Sequence, residues 1–259
     1  MIKYFSLMAC FGIISAHTFS QGVVVNSNPT MNDRFSKKTG SMRLSSTIVK
    51  IGKIRNNETK SDTLKIFNDG ARDLSISPGK VPAHLQITVG TPTLAPKAES
   101  WIAIVYDGAK RNDFGFVIDR FELITNDTIQ PKKLISVSAN ILEFFAPMTG
   151  DDSANIQKAK WIETTYDYGR IKQGSKITHN FSLTNTGKRD LYVRKTKSSC
   201  GCLKTSATTD TIASGATGYI TIEFDSYNKE GKDSRKMSVF LNDPEKPEVV
   251  LELKGEIEK

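Results

Sequence analysis

Apolar and polar residues alternate at period two wherever the apolar ones cluster. Ile177, Phe181 and Leu183 share one parity, with Thr178, Asn180 and Ser182 on the other, and Ile220, Ile222 and Phe224 repeat the arrangement downstream. The first half of the chain does the same with Leu64 and Ile66, then with Ile102, Ile104 and Tyr106. No window of a dozen residues carries a convincing helical period. The pattern predicts half-buried strands of about six to eight residues with turns every ten or so, which is the signature of two antiparallel sheets packed face to face. The expected fold is all-β, two tandem Ig-like antiparallel β-sandwiches.

"Tandem" comes from a repeat. At a constant shift of 117, Gly52 falls on Gly169, Ile54 on Ile171, Asn68 on Asn185, Gly70 on Gly187 and Asp73-Leu74 on Asp190-Leu191. Downstream, Ile102 and Ile104 meet Ile220 and Ile222, and Asn126-Asp127 meets Asn242-Asp243. A unit of this length is domain-sized, so each copy is expected to close its own core. The Asn-x-Gly turns follow a strand end, where Asn can bond its own downstream backbone and Gly can adopt positive φ. Expected boundaries are a signal peptide at 1–20, a flexible arm at 21–43, a first sandwich at 44–143, a linker at 144–160 and a second sandwich at 161–259.

A length of 259 residues accommodates two such domains. Lys3, the apolar run from Tyr4 to Ala16 and the small or polar residues before Gln21 have the layout of a secretory signal. Leu7-Met8-Ala9-Cys10 imitates a lipoprotein box, but Cys10 sits inside the apolar run, which argues against lipid anchoring there. No other stretch approaches a transmembrane helix in length. The chain is therefore expected to be exported, to the periplasm or cell surface. Its net charge of +8 favours anionic partners, yet the cations are dispersed, densest at Lys188-Arg189 and Arg194-Lys195-Lys197. No aromatic platform interleaves them, so nucleic acid is not an expected partner.

Cys200-Gly201-Cys202 is the one group that suggests reactivity, and the first copy has Ala83-His84-Leu85 in its place. Residues i and i+2 of a strand lie roughly 6.6 Å apart, so a bridge needs a kink that Gly201 permits. Two readings stand. One is a possible disulfide between Cys200 and Cys202, whose small ring stabilises little. The other is a thiolate pair at the same pole as His179, acting in redox chemistry or holding a soft metal such as copper. His179 has a bland alternative too, as a strand-end histidine satisfied by backbone or water. The mature chain has only His84 and His179, no G-x-S-x-G elbow, no H-E-x-x-H and no phosphate loop. No catalytic residue, no cofactor and no small-molecule substrate is expected, and the Asn-Asp pairs read as turn formers.

Tyr166-Asp167-Tyr168-Gly169, Phe181-Ser182-Leu183-Thr184-Asn185-Thr186-Gly187, Ser199-Cys200-Gly201-Cys202, Ile222-Glu223-Phe224-Asp225 and Asn242-Asp243 together form a signature. It resembles a bacterial exported family, domain of unknown function 1573, over about residues 161–257. Leu203 departs from the threonine usual after the second cysteine. The resemblance implies an Ig-like sandwich similar to Hydin-like, major-sperm-protein-like and pilus-chaperone-like folds, and an envelope location, with no activity to carry over. The expected function is a non-enzymatic interaction or scaffolding module whose partner is another envelope protein. The thiol or copper site is the alternative.

Overall fold

Strand alternation builds two β-sandwiches in the computed structural model, which describes residues 30–150 and 155–259. The expected signal segment, Cys10 and the start of the arm lie outside the described residues. The first sandwich contains α1 (Met31–Arg34), β1 (Lys37–Thr39), β2 (Met42–Leu44), β3 (Ile48–Arg55), β4 (Thr59–Asn68), β5 (Leu74–Pro78), β6 (Leu85–Val89), β7 (Thr93–Leu94), β8 (Glu99–Asp107), α2 (Gly108–Arg111), β9 (Gly115–Thr125) and β10 (Lys132–Leu142). Its sheets run β1-β2-β4-β8-β6 and β3-β10-β9-β5-β7. The second contains β11 (Ala159–Trp161), β12 (Thr165–Lys172), β13 (Lys176–Asn185), β14 (Leu191–Ser198), β15 (Leu203–Ala207), β16 (Thr211–Ile212), β17 (Thr217–Asp225), β18 (Gly231–Leu241) and β19 (Glu248–Glu258). Its sheets run β11-β13-β17-β15 and β12-β19-β18-β14-β16, the same order strand for strand apart from the extra β1.

Each sandwich buries its own apolar face. Leu64, Ile66, Ile102, Ile104, Phe121 and Val137 lie in one core, and Phe181, Leu183, Ile220, Ile222, Val239 and Leu251 in the other. Each such side chain removed from water contributes about 1.5–3 kcal/mol. Fixing the backbone opposes this with a loss of similar overall size.

Three features depart from the sequence reading. Residues 30–43, expected in a flexible arm, hold α1, β1 and β2, with Phe35 and Met42 fully buried. Phe35 packs its ring 5.6 Å from Phe67, and β2 pairs with β4. Three-residue strands are too short to show a period, so composition alone concealed them. The sandwiches are also not wholly antiparallel, because β3 pairs parallel with β10 and β12 parallel with β19. At the bulges in β3 and β12, Gly52 and Gly169 take φ of 75° and 68°, a conformation that disfavours a side chain. Finally, Gly70 and Gly187 of the Asn-x-Gly turns do not use positive φ. A Cβ on Gly187 would lie 2.2 Å from the Ile156 carbonyl oxygen, so the turn requires small size rather than left-handed backbone.

The turn asparagines behave alike in both copies. Asn68 Nδ2 donates to the Arg72 and Leu94 carbonyls at 2.8 Å each, and its Oδ1 accepts the Gly70 N–H at 3.0 Å. Asn185 repeats this with Arg189, Ile212 and Gly187 at 2.8, 2.9 and 3.0 Å. Both residues are fully buried, so each amide replaces water for two backbone carbonyls and the N–H of its turn glycine, and Asn185 Oδ1 also accepts the Lys158 N–H at 3.4 Å.

Candidate functional site

The two copies share strands and turns, so the places where they differ are the candidates for function. The first lies at the end of β14. In the first sandwich Pro78 ends the matching strand β5, since proline has no N–H for the ladder. In the second, Lys195 to Ser198 continue the pairing with Phe240 to Met237 of β18 and deliver the chain to Cys200. Cys200 and Cys202 are joined by a disulfide with Cα atoms 5.3 Å apart, and both pack against the end of the second core. Around Cys202 and Gly201 a recess of about 380 Å³ is lined by Lys176, Lys204, Glu223, Phe224 and Asp225.

His179 is engaged elsewhere. Its Nε2 lies 2.8 Å from Glu163 Oε1, its ring stacks on Tyr166 at 3.7 Å, and Phe181 meets it edge-on at 4.7 Å. Within the sheet the central strand β17 separates β13, which carries His179, from β15, into which the cysteines lead. A soft-metal site would need both sulfurs as thiolates, and the bond between them removes those ligands. Among the described residues no group of three or more His, Cys, Asp or Glu side chains is placed to hold a metal.

Where the second copy has its cysteines, the first has His84 in a charged cluster. His84 Nε2 lies 3.1 Å from Asp119 Oδ2 without hydrogen-bond alignment. The Tyr106 hydroxyl donates to the same oxygen at 2.8 Å, and Arg111 Nε reaches Asp119 at 3.1 Å. Burial first, and the Asp119 carboxylate second, push the Tyr106 phenol well above its ordinary value, so it stays a proton donor.

Arg111 leads to the junction of the two sandwiches, the second place of difference. Asp113, buried after α2, accepts Lys195 Nζ at 2.7 Å and Lys197 Nζ at 3.2 Å, while Arg111 lies 3.3 Å away. Burial alone would raise the Asp113 carboxyl, but Lys195, the Phe114 N–H and Lys197 outweigh it and hold it below the usual carboxylate range. Arg194 Nη2 meets Glu143 Oε1 at 2.8 Å, and the Phe114 and Phe240 rings stack 6.2 Å apart. Arg194, Lys195 and Lys197 are thus each paired with an acid of the first sandwich, although Arg194 and Lys195 stay partly exposed. The signal in the sequence was their position, in a strand extension that the first copy lacks.

A third difference lies on the outer face of the sheet β3-β10-β9. Ile48, Phe116 and Ile118 stand around a groove of about 310 Å³ floored by Ser138, Ala139 and Asn140. At the same place in the second sandwich the lining is Asp167, Lys232, Ser234, Lys254 and Glu256.

Residues 159–257 match the family model described as a protein of unknown function, DUF1573. No curated protein matches the chain. Among solved structures, a protein of unknown function from Porphyromonas gingivalis W83 superposes at a TM-score of 0.60 with 15% identity, covering 84% of this chain and 100% of that one. A PapD-like domain of human CEP192 reaches 0.34 at 14% identity over 45% of this chain and 94% of that one. The YadV chaperone reaches 0.30 at 11% identity over 83% and 99%. These likenesses concern fold alone, and the last two are too distant to carry an argument. Among the described residues no helix is long and apolar enough to cross a membrane.

Proposed function

We propose that this chain, whose second sandwich matches the DUF1573 family model, is a non-enzymatic protein-interaction module exported to the bacterial cell envelope. The observation that carries the reading is the apolar outer face of the first sandwich, where Ile48, Phe116 and Ile118, which line one groove, are 39%, 64% and 51% exposed. Apolar side chains scattered singly over a surface need no explanation, but a contiguous group of them marks an interaction site. Both cores close without these residues. The junction supports the same reading, because its ion pairs and stacked rings hold two domain surfaces side by side for one partner. Sandwich folds host many functions, so the warrant is this surface rather than the architecture. Export rests on the layout of residues 1–20.

The partner is another envelope protein. Reversible crosslinking in the producing cell, followed by purification of the tagged full chain, is expected to return one protein repeatedly and in constant proportion. Recovery of the chain alone under the same conditions would overturn the proposal.

A further inference from the structure

The duplication supplies its own control for the exposed face. We infer that the groove on the β3-β10-β9 face is a docking site for a partner segment that presents bulky apolar side chains flanked by carboxylates. This inference rests on the interaction reading above and gives it a place and a chemistry. Register defines the groove. Phe116 stands opposite Asn140 and Ile118 opposite Ser138, while Lys50 stands opposite Ser138 from the other side. Small floor residues between taller walls leave room for an inserted side chain, and the walls are almost entirely apolar.

The rows of this face that hold the groove are also cationic. Ile48-Ser136-Arg120 forms one row and Lys50-Ser138-Ile118 the next, so a cation stands at opposite corners of the apolar patch. Lys50 and Arg120 are exposed, and among the described residues neither is in an ion pair. Carboxylates on the incoming segment would meet both, which fixes its register while the apolar insertion supplies the burial. The groove is continuous with the junction, since Lys197 Nζ of the second sandwich donates to the Phe116 carbonyl at 3.3 Å. Strand addition at this end of β3 is a poorer fit. Ser46 Oγ donates to the Ile48 carbonyl at 2.8 Å and accepts its N–H at 3.1 Å, so that stretch of edge is already satisfied.

In the second sandwich the positions of Phe116 and Ile118 are taken by Lys232 and Ser234, opposite Glu256 and Lys254. The same fold therefore tolerates a fully polar lining, and the apolar one is not needed for stability. That makes Phe116→Lys with Ile118→Ser a substitution that removes the groove and spares the sandwich.

The test uses the full chain labelled for NMR and three blocked pentapeptides: Asp-Leu-Asp-Phe-Asp, Lys-Leu-Lys-Phe-Lys and Asp-Ser-Asp-Ser-Asp. The first is expected to shift the amides of 48–52, 116–120 and 136–140, to bind about tenfold tighter than either control, and to weaken with salt. The double variant is expected to lose that binding by about tenfold or more at an unchanged melting temperature. Equal binding of the lysine peptide, shifts elsewhere, or no effect of the double variant would overturn the inference. So would self-association, or binding to phosphatidylglycerol vesicles, that the double variant abolishes, since a second copy or a lipid surface would then be the occupant. If the double variant still returns the crosslinked partner from cells, this face is wrong and the interaction reading then rests on the junction alone. If the unaltered chain returns none, the interaction reading itself has failed.

Discussion

Asn68 and Asn185 show how one side chain can specify a turn twice. Each closes two carbonyls and the N–H of its turn glycine, so Asn185→Ala would leave the Arg189 and Ile212 carbonyls without that donor. A loss of about 1–3 kcal/mol is expected, seen as a lower denaturant midpoint with an unchanged slope. The paired Asn126 and Asn242 do related work, accepting the N–H of Ser75 and Tyr192 at 3.0 and 2.7 Å. These roles were legible, because Asn-x-Gly and Asn-Asp recur at one spacing and their chemistry is local. The buried pair Lys133–Asp127 was not, since nothing local distinguishes a core lysine from the surface lysine beside it. Burial alone would raise the Asp127 carboxyl, but Lys133 and the N–H groups of Ser41 and Ile129 hold it well below the carboxylate range. In Asp69, hydrogen bonds from Arg43 and Lys97 do the same. Both carboxyls are depressed in the folded state, so their contribution is complete above the unfolded value near about 4 and is lost as pH falls below it. The melting temperature should hold from neutral pH to about 5 and then drop. Asp127→Asn, which strands a buried ammonium, should cost about 3–5 kcal/mol at neutral pH and flatten the acid limb.

At the scale of the element, strands were legible wherever alternation ran for several residues, as in β13 and β17. Hidden elements were those whose information is non-local: β1 and β2, too short for a period, and the edge strands β3 and β12, whose parallel pairing depends on where the chain crosses over. The extension of β14 past the point where Pro78 ends β5 is the element that distinguishes the second sandwich, because it carries both the junction cations and the cysteines. The two sulfurs close a ring across a sequence separation of 2. Such a ring removes so little freedom from the unfolded chain that Cys200→Ser with Cys202→Ser should cost under about 2 kcal/mol. Calorimetry and circular dichroism would check this, and a loss of the whole second transition would make the bridge a structural staple after all.

For the whole molecule, the duplication and the all-β class could be read from the chain, whereas the junction could not. Asp113, Glu143 and the cations of β14 are far apart in sequence, and only the packing of two sandwiches brings them together. Lys195 and Arg194 remain partly exposed, so each pair is worth no more than about 1 kcal/mol. Removing both acids, by Asp113→Asn with Glu143→Gln, should leave the two cores intact while loosening their relation. Solution X-ray scattering should then show a larger radius of gyration, and an unchanged profile would mean that the junction is held by other contacts. The apolar face of the first sandwich, and not its polar counterpart in the second, is the surface proposed to receive a partner. A photo-crosslinking residue placed at position 116 or at position 232 of the full chain, in the producing cell, tests this directly. A defined protein adduct is expected from position 116 and none from 232. The same adduct from both positions, or none from either, would contradict the proposal.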